Sequence, residues 1–283
     1  MPAFDLVAPR TADEAVAELR SLPAGEAVVL AGGTDLLLDL DLGRVAPRRV
    51  VSLRHLPWRT IDWNAGALTI GSTVPLRSLE LDPDLHGRLP GLYQAVRAVG
   101  SVSLRTRATL GGNLGRSAPA SDLIPILLVL DAEVDLVGPN GSRAEKVDRF
   151  VRSSRSTSLG RAELIRSIRL PESRPSAYVW QRVRPVNDIS QVCVAAAFSP
   201  ADRGWRLAIG GVPPRPVRLA EAEAELSGIR PSGEAVSRVA DRVSRHAALV
   251  GDRRASDEYR RRLASILVVR AVEAVTRAAE ARS

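Results

Sequence analysis

Ala27-Val28-Val29-Leu30 runs directly into Ala31-Gly32-Gly33-Thr34-Asp35-Leu36, and a second glycine pair stands in Thr109-Leu110-Gly111-Gly112-Asn113. The four apolar residues before the first pair form a short strand in the reading, so that a strand delivers a glycine turn. Such a turn brings backbone close to a bound group and leaves amide donors clear of side chains, as in the backbone nests that hold phosphate oxygens. Neither pair fits G-x-G-x-x-G, nor the phosphate loop ending in Gly-Lys and a hydroxyl residue, which disfavours a Rossmann domain. Taken alone, a glycine pair most often serves a tight turn.

Outward from these turns the chain divides into three blocks, 1–57, 58–172 and 173–283. Thr11-Ala12-Asp13-Glu14 is a capping box that starts a helix over about 12–21, and Val50-Val51-Ser52-Leu53 gives a strand closing the first block. In the second block Ala67 to Gly71 is a strand, Thr73 caps a helix with Pro75 in its first turn, and Leu92 to Val99 is helical up to Gly100. Ser121 caps an apolar helix from Leu123 to Leu130, Gly138-Pro139-Asn140-Gly141 turns a hairpin, and Leu164 to Ile168 is the last strand. In the third block strands over Tyr178–Val183, Gln191–Phe198 and Trp205–Ile209, with a turn at Ser199 to Gly204, give way to helices over Glu221–Leu226, Glu234–Ala247 and from Asp257 with Ser256 as cap.

The chain has 283 residues, 45% of them hydrophobic, and 40 Lys+Arg against 32 Asp+Glu, a formal net charge of +8. At roughly 150 residues per domain it is long enough for about two cores. Lys146 is the one lysine, and the arginines are interleaved with acidic residues, which argues against a nucleic-acid-binding face. The compact run Arg260-Arg261-Arg262 reads as the solvated side of a helix. A single cysteine, Cys193, excludes a disulfide framework and an iron–sulfur cluster of the chain's own, and His55, His86 and His246 lie too far apart for metal-ligand spacing. The start Met1-Pro2-Ala3-Phe4-Asp5 carries no basic and apolar leader, and no segment has the roughly 20 apolar residues of a membrane span. The expectation is a cytoplasmic protein with no metal site.

Several stretches together resemble the FAD-binding medium subunit of molybdenum hydroxylases, the family of carbon monoxide and xanthine dehydrogenases. They are Ala31 to Leu36, Arg105-Thr106-Arg107-Ala108-Thr109-Leu110-Gly111-Gly112-Asn113-Leu114, Pro119-Ala120-Ser121-Asp122, Arg184 to Val192, Ala208-Ile209-Gly210-Gly211-Val212, Arg218 to Glu223 and Ser256 to Ala264. The resemblance covers nearly the whole chain. It implies an α+β fold in which two small α/β subdomains hold FAD between them and a C-terminal domain of antiparallel sheet and helices closes one side. It further implies that Leu30, Ala31, Gly32, Gly33, Thr34, Asp35 and Leu36, with Thr109, Gly111, Gly112 and Asn113, hold the pyrophosphate and ribityl. Asp122 would bind the flavin nucleotide by hydrogen bonds and Ile165 would pack on the isoalloxazine. A helix-start aspartate and a strand isoleucine also have plain structural roles, dipole complement and core.

By the same resemblance this is an oxidoreductase subunit without a side-chain nucleophile or base. Its partners would be a two-cluster 2Fe–2S subunit and a molybdopterin subunit, and the flavin would reduce NAD, a quinone or oxygen. The chain departs from the family pattern at Trp180, where many members carry a Lys beside the flavin, and that change implies different redox tuning or stacking of the indole on the ring. A second departure, Leu38-Asp39-Leu40-Asp41 after the first loop, is expected to alter a partner-facing surface. Two other classes stay open, a stand-alone FAD-dependent reductase, for which no substrate-acid motif is present, and a flavin-free interaction protein.

Overall fold

A computed structural model of the chain describes residues 3–280 apart from 65, 171–173, 185–187, 200–201 and 229–230. Outside the described residues lie Pro185-Val186-Asn187 of one motif, Pro200-Ala201 of the predicted turn, and the division between 172 and 173.

The first sheet is parallel, in the order β1 (Asp5–Val7), β3 (Arg49–Ser52), β2 (Ala27–Leu30). Helix α1 (Ala12–Arg20) follows β1 and α2 (Leu36–Asp41) follows β2. The capping box forms as the sequence predicts: the Glu14 amide donates to Thr11 Oγ1 at 3.2 Å and the Thr11 amide to the Glu14 carboxylate at 3.4 Å. Ala15 and Val16 of α1 are buried with Val51, Trp58 and Leu164, so this small layer is welded to the second block and has no core of its own.

The second sheet is antiparallel throughout, in the order β4 (Ile61–Asn64), β5 (Ala67–Gly71), β10 (Leu164–Leu170), β6 (Glu133–Gly138), β7 (Gly141–Lys146). The predicted hairpin joins β6 to β7, with Gly141 at φ +95° where a side chain would strain the turn. Between β5 and β6 run α3 (Leu76–Glu80), α4 (Leu85–Arg88), α5 (Pro90–Ala98), α6 (Val102–Arg105), α7 (Leu110–Arg116) and α8 (Leu123–Val129). A short α9 (Val147–Phe150) and a ribbon of β8 (Val151–Ser153) and β9 (Ser156–Thr157) precede β10. Every residue of α8 is buried. Ser121 caps it as expected, its hydroxyl accepting from the Leu123 and Ile124 amides at 3.2 and 3.3 Å. Thr73 does not cap: its hydroxyl donates to the Trp58 carbonyl at 2.8 Å, because Gly71 presses this turn onto the Trp58 backbone.

The third sheet is an antiparallel meander of β11 (Ser176–Gln181), β12 (Val192–Ser199), β13 (Gly204–Gly210) and β14 (Val217–Arg218). Helices α10 (Ala220–Leu226), α11 (Gly233–Ser244) and α12 (Asp257–Glu280) cover one face. Alternation along β12 serves two cores: Cys193, Ala195 and Ala197 face α5 and α8, while Val192, Val194 and Ala196 face the C-terminal helices. A strand buried on both faces reads as an unbroken apolar run, as this one does.

The arginine run on α12 corrects an expectation. Arg260 is fully buried, donating to the Gln191 and Gly211 carbonyls at 2.6 and 2.7 Å and pairing with Asp252 at 2.8 Å. It ties α12 to two loops by donating to their carbonyls. A run of three like residues cannot show which one points inward.

Candidate cofactor-binding site

The two glycine stretches meet. A Cβ placed on Gly32 would lie 2.0 Å from the Arg107 carbonyl oxygen and 2.8 Å from its carbon, so two backbones touch where only glycine fits. Gly33 adopts φ +81°, turning the chain from β2 into α2. Among the described residues, the amides of Gly32, Gly33, Thr34 and Asp35 have no protein acceptor. The loop thus keeps four donors unspent, on residues that are half-buried at Gly32, Gly33 and Thr34 and exposed at Asp35.

The second glycine pair differs from the expected open turn. Gly111 and Gly112 form the first turn of α7, with Thr109 as N-cap. The Gly112 amide donates to Thr109 Oγ1 at 3.0 Å, the Gly111 amide to Ser72 O at 3.2 Å and the Asn113 amide to Thr109 O at 3.0 Å. These three donors are therefore satisfied internally. What glycine provides here is closeness: a Cβ on Gly111 would lie 2.5 Å from Ser72 Cβ, and the Cβ position of Gly112 is 3.7 Å from Ala31 Cβ across the gap between the loops.

An ion-pair lock holds the two loops in register. Asp39 on α2 is buried and pairs with Arg116 at the end of α7 at 2.7 Å and with Arg44 at 3.2 Å, and Arg116 also lies 3.6 Å from Asp35. Burial pushes the Asp39 carboxyl up, but the hydrogen bonds and charges of Arg116 and Arg44 outweigh it and hold the group below the usual range. The stretch Leu38-Asp39-Leu40-Asp41 is thus an internal brace at Asp39 and Leu40, and only Leu38 of its apolar residues faces solvent. Leu38 and Asp41 remain on the surface, while Asp39 turns inward because a charge between apolar neighbours on a helix points wherever its ion partner lies.

Ala31, Gly32 and Thr109 line a cavity of about 140 Å³ whose other walls are Arg54, Arg59, Thr73, Pro75, Thr106 and Arg107. Arg59 and Arg107 have no side-chain partner among the described residues, and Arg54 makes only a neutral contact with His55 Nε2 at 3.1 Å. Among the described residues none of the three is paired with a carboxylate. The volume falls below the roughly 300–1,000 Å³ of a pocket enclosing a whole organic ligand and suits a charged segment of one. A larger cavity of about 670 Å³ lies between α10 and α11, but there Arg218 is spent on Glu223 and Asp131, and Arg242 on Glu221 and Glu225.

Asn113 links this region to the next expected residue: Ser121 Oγ donates to Asn113 Oδ1 at 2.6 Å. The adjoining Asp122 is buried, its Oδ1 accepting from Tyr178 and Ser190 hydroxyls, both at 2.6 Å, and its Oδ2 from Arg182 at 2.9 Å. Burial raises the Asp122 carboxyl above its usual value against the opposing effects of Arg182, Ser190 and Tyr178. Its two oxygens are engaged across the seam between the second sheet's helices and the third sheet. Tyr178 stacks on Trp180 with ring centroids 5.5 Å apart, and the Arg182 guanidinium lies 5.7 Å from the Trp180 ring. Trp180 is 36% exposed, so it is surface and not core. Ile165 is buried on β10, its Cδ1 3.5 Å from the Cβ position of Gly115 on α7. Leu30 and Leu36 flank Gly33 at the two ends of the first loop.

Sequence reasoning did not single out Arg54, Arg59, Arg107, Arg116, Tyr178 or Ser190, and it weighed Arg182 only as a charge beside Trp180. Arg107 stands inside a quoted motif, but in so arginine-rich a chain nothing local separates a paired guanidinium from a free one.

The chain matches the family model described as the FAD binding domain in molybdopterin dehydrogenase over residues 2–173, and the CO dehydrogenase flavoprotein C-terminal domain over 177–275. It is 27% identical over 96% of its length to the carbon monoxide dehydrogenase medium chain of Hydrogenophaga pseudoflava, covering 97% of that protein. It is 28% identical to a putative xanthine dehydrogenase FAD-binding subunit of Escherichia coli over 90% of both chains. A solved structure of the Hydrogenophaga pseudoflava carbon monoxide dehydrogenase lacking the Mo-pyranopterin moiety superposes with a TM-score of 0.90 at 28% identity, covering 98% of each chain. No helix among the described residues is long and apolar enough to cross a membrane. With two consecutive family domains spanning nearly the whole sequence on the matching α+β fold, the chain belongs to the FAD-binding flavoprotein subunits of the molybdenum-dependent dehydrogenases, oxidoreductases whose cofactor in this subunit is FAD.

Proposed function

We propose that this chain is the electron-transfer subunit of a multi-subunit molybdenum hydroxylase. In this reading a two-cluster 2Fe–2S subunit passes electrons from a molybdopterin subunit to the FAD held here, and NAD, a quinone or oxygen receives them, in the cytoplasm. The observation that carries it is the crossing of Gly32 over Arg107, which puts the start of a loop with four unpartnered amides in one cavity with three arginines that have no carboxylate partner among the described residues. Such a cradle suits a diphosphate and has no use in a flavin-free interaction protein.

FAD, when bound, supplies the exchange of electrons between one-electron and two-electron centres, while the protein supplies position and electrostatics. The first loop, Leu30 to Leu36, would hold the pyrophosphate through its amides. Thr109, Gly111, Gly112 and Asn113 would form the opposing wall, and there closeness, more than donation, is what they contribute. Ile165 would pack against the isoalloxazine and Trp180 border it. Asp122, with both oxygens taken, would act through Tyr178, Ser190 and Arg182 by fixing the edge on which Trp180 stands. We assign 1–57 and 58–172 as the two FAD-binding subdomains and 173–283 as the closing domain.

Co-expression with the genes of its neighbouring subunits tests the assignment. The expected product is a complex with flavin absorbance and an interface above about 1,000 Å². A colourless chain running as a monomer beside those subunits would overturn it.

A further inference from the structure

The three arginines that line the cavity beside Gly32 and Thr109 carry the argument beyond the glycine loops. Arg54 and Arg59 stand in the connection from β3 to β4 and Arg107 in the one before α7, so two connections far apart in sequence bring three cations to one cavity of about 140 Å³. By contrast, Arg116 is neutralised by Asp39, Arg105 by Glu80, Arg182 by Asp122 and Arg218 by Glu223. Unneutralised positive charge gathered on a small polar concavity repels itself. It is compensated when an anion of two or more charges enters, because guanidinium forks match phosphate oxygens geometrically.

We propose that Arg54, Arg59 and Arg107 bind the diphosphate of the dinucleotide from the side opposite the loop amides. The adenosine diphosphate half is thereby anchored on its own, without help from the isoalloxazine. This inference rests on the FAD reading above and specifies which charges hold the cofactor and which half of it binds first. It follows that flavin-free protein binds ADP, that ADP competes with FAD, and that FMN, with a single phosphate and no diphosphate, is held far more weakly. Because the anchor is ionic and exposed, affinity falls steeply with salt.

The test uses the full chain freed of flavin, titrated calorimetrically with FAD, ADP and FMN at low and high salt. Arg54→Gln, Arg59→Gln and Arg107→Gln are made singly and together; all three side chains are exposed, and circular dichroism checks the fold. The expected result is ADP binding to flavin-free protein, a loss of about tenfold in ADP and FAD affinity for each charge removed, and a weaker salt dependence in the triple variant. ADP binding to protein already loaded with FAD would place the cations at a second dinucleotide site and overturn the assignment. FAD binding without any ADP binding, or triple-variant affinities equal to wild type, would overturn it as well. If neither FAD nor ADP binds the folded chain, the FAD reading falls first, and that outcome is separate from the others.

Discussion

Replacing Gly32 with Ala puts the crossing of the two loops under direct test. The new methyl carbon would lie 2.0 Å from the Arg107 carbonyl oxygen, about 1.4 Å short of the 3.4 Å at which ordinary contact begins. Both atoms nearest it are backbone, so no side chain can rotate away, and the loops must part by about that distance. Overpacking of this kind costs about 1–3 kcal/mol of stability. The binding effect is larger in proportion, since Arg107 and the loop amides move apart by more than the tolerance of a hydrogen bond. A displacement above 1 Å in a preorganised site is worth on the order of a hundredfold. Gly115→Ala is the control: its methyl would meet Ile165 Cδ1 at 3.5 Å, an ordinary contact, and alanine favours the helix by about 1 kcal/mol. Fluorescence titration of flavin-free protein with FAD, with thermal melts alongside, gives both quantities. A folded Gly32→Ala protein that binds FAD as tightly as wild type would refute the argument that this crossing builds the site.

Trp180→Lys is expected to raise the flavin midpoint potential, because the Arg182 charge is already paired with Asp122 and a new cation about 4 Å from the ring contributes up to roughly 4 kcal/mol at an effective dielectric of 20; an unchanged potential in a dye-referenced titration removes Trp180 from the flavin's surroundings. Asp39→Asn is expected to cost on the order of 1 kcal/mol at pH 7, discounted for the exposed Arg44. Because the folded carboxyl is held below its ordinary value of 3.8, that stabilisation is present above this pH and is lost as pH falls through the lowered value, so the two melting curves converge in acid; a difference that persists there would disprove the ionic origin. Arg260→Ala is expected to lose about 2–4 kcal/mol by leaving the Gln191 and Gly211 carbonyls without this donor, while Asp252 keeps Arg254, and a melting temperature within two degrees of wild type would contradict the anchoring role.

Where hydrophobic period and turn chemistry act locally, the sequence showed the elements that form: the capping box on α1, the β6–β7 hairpin, the apolar α8, the β11–β13 meander and the long α12. Five helices escaped it, the one-turn α4, α6 and α9 and, next to the site, α7 and α2. Leu110-Gly111-Gly112-Asn113-Leu114-Gly115-Arg116 has three glycines and poor intrinsic helicity, and it is helical because Thr109 caps it and Leu110 and Leu114 are buried. Helix α2 is so short and leucine-rich that period says nothing, and its orientation comes from the Asp39–Arg116 pair. The same limit governs the site. The glycines announce themselves because their reason is steric and local, whereas the charges around them acquire meaning only from which arginines find a carboxylate elsewhere in the fold. The expected open amides of Gly111 and Gly112 were absent for a comparable reason, since Ser72 and Thr109 reached them first.

Strand β12 sets a constraint on how relatives of this chain can be recombined. Its odd-numbered residues complete the packing of the flavin-binding half and its even-numbered ones that of the C-terminal half, so it is a party wall with no spare side. A chimera joined at the boundary between the two family domains would replace half the lining of a core belonging to the other parent. Such grafts should succeed only when the small residues Cys193, Ala195 and Ala197 travel together with the helix faces they touch on α5 and α8. The two halves can diverge in sequence, but along that strand they have to do so in step.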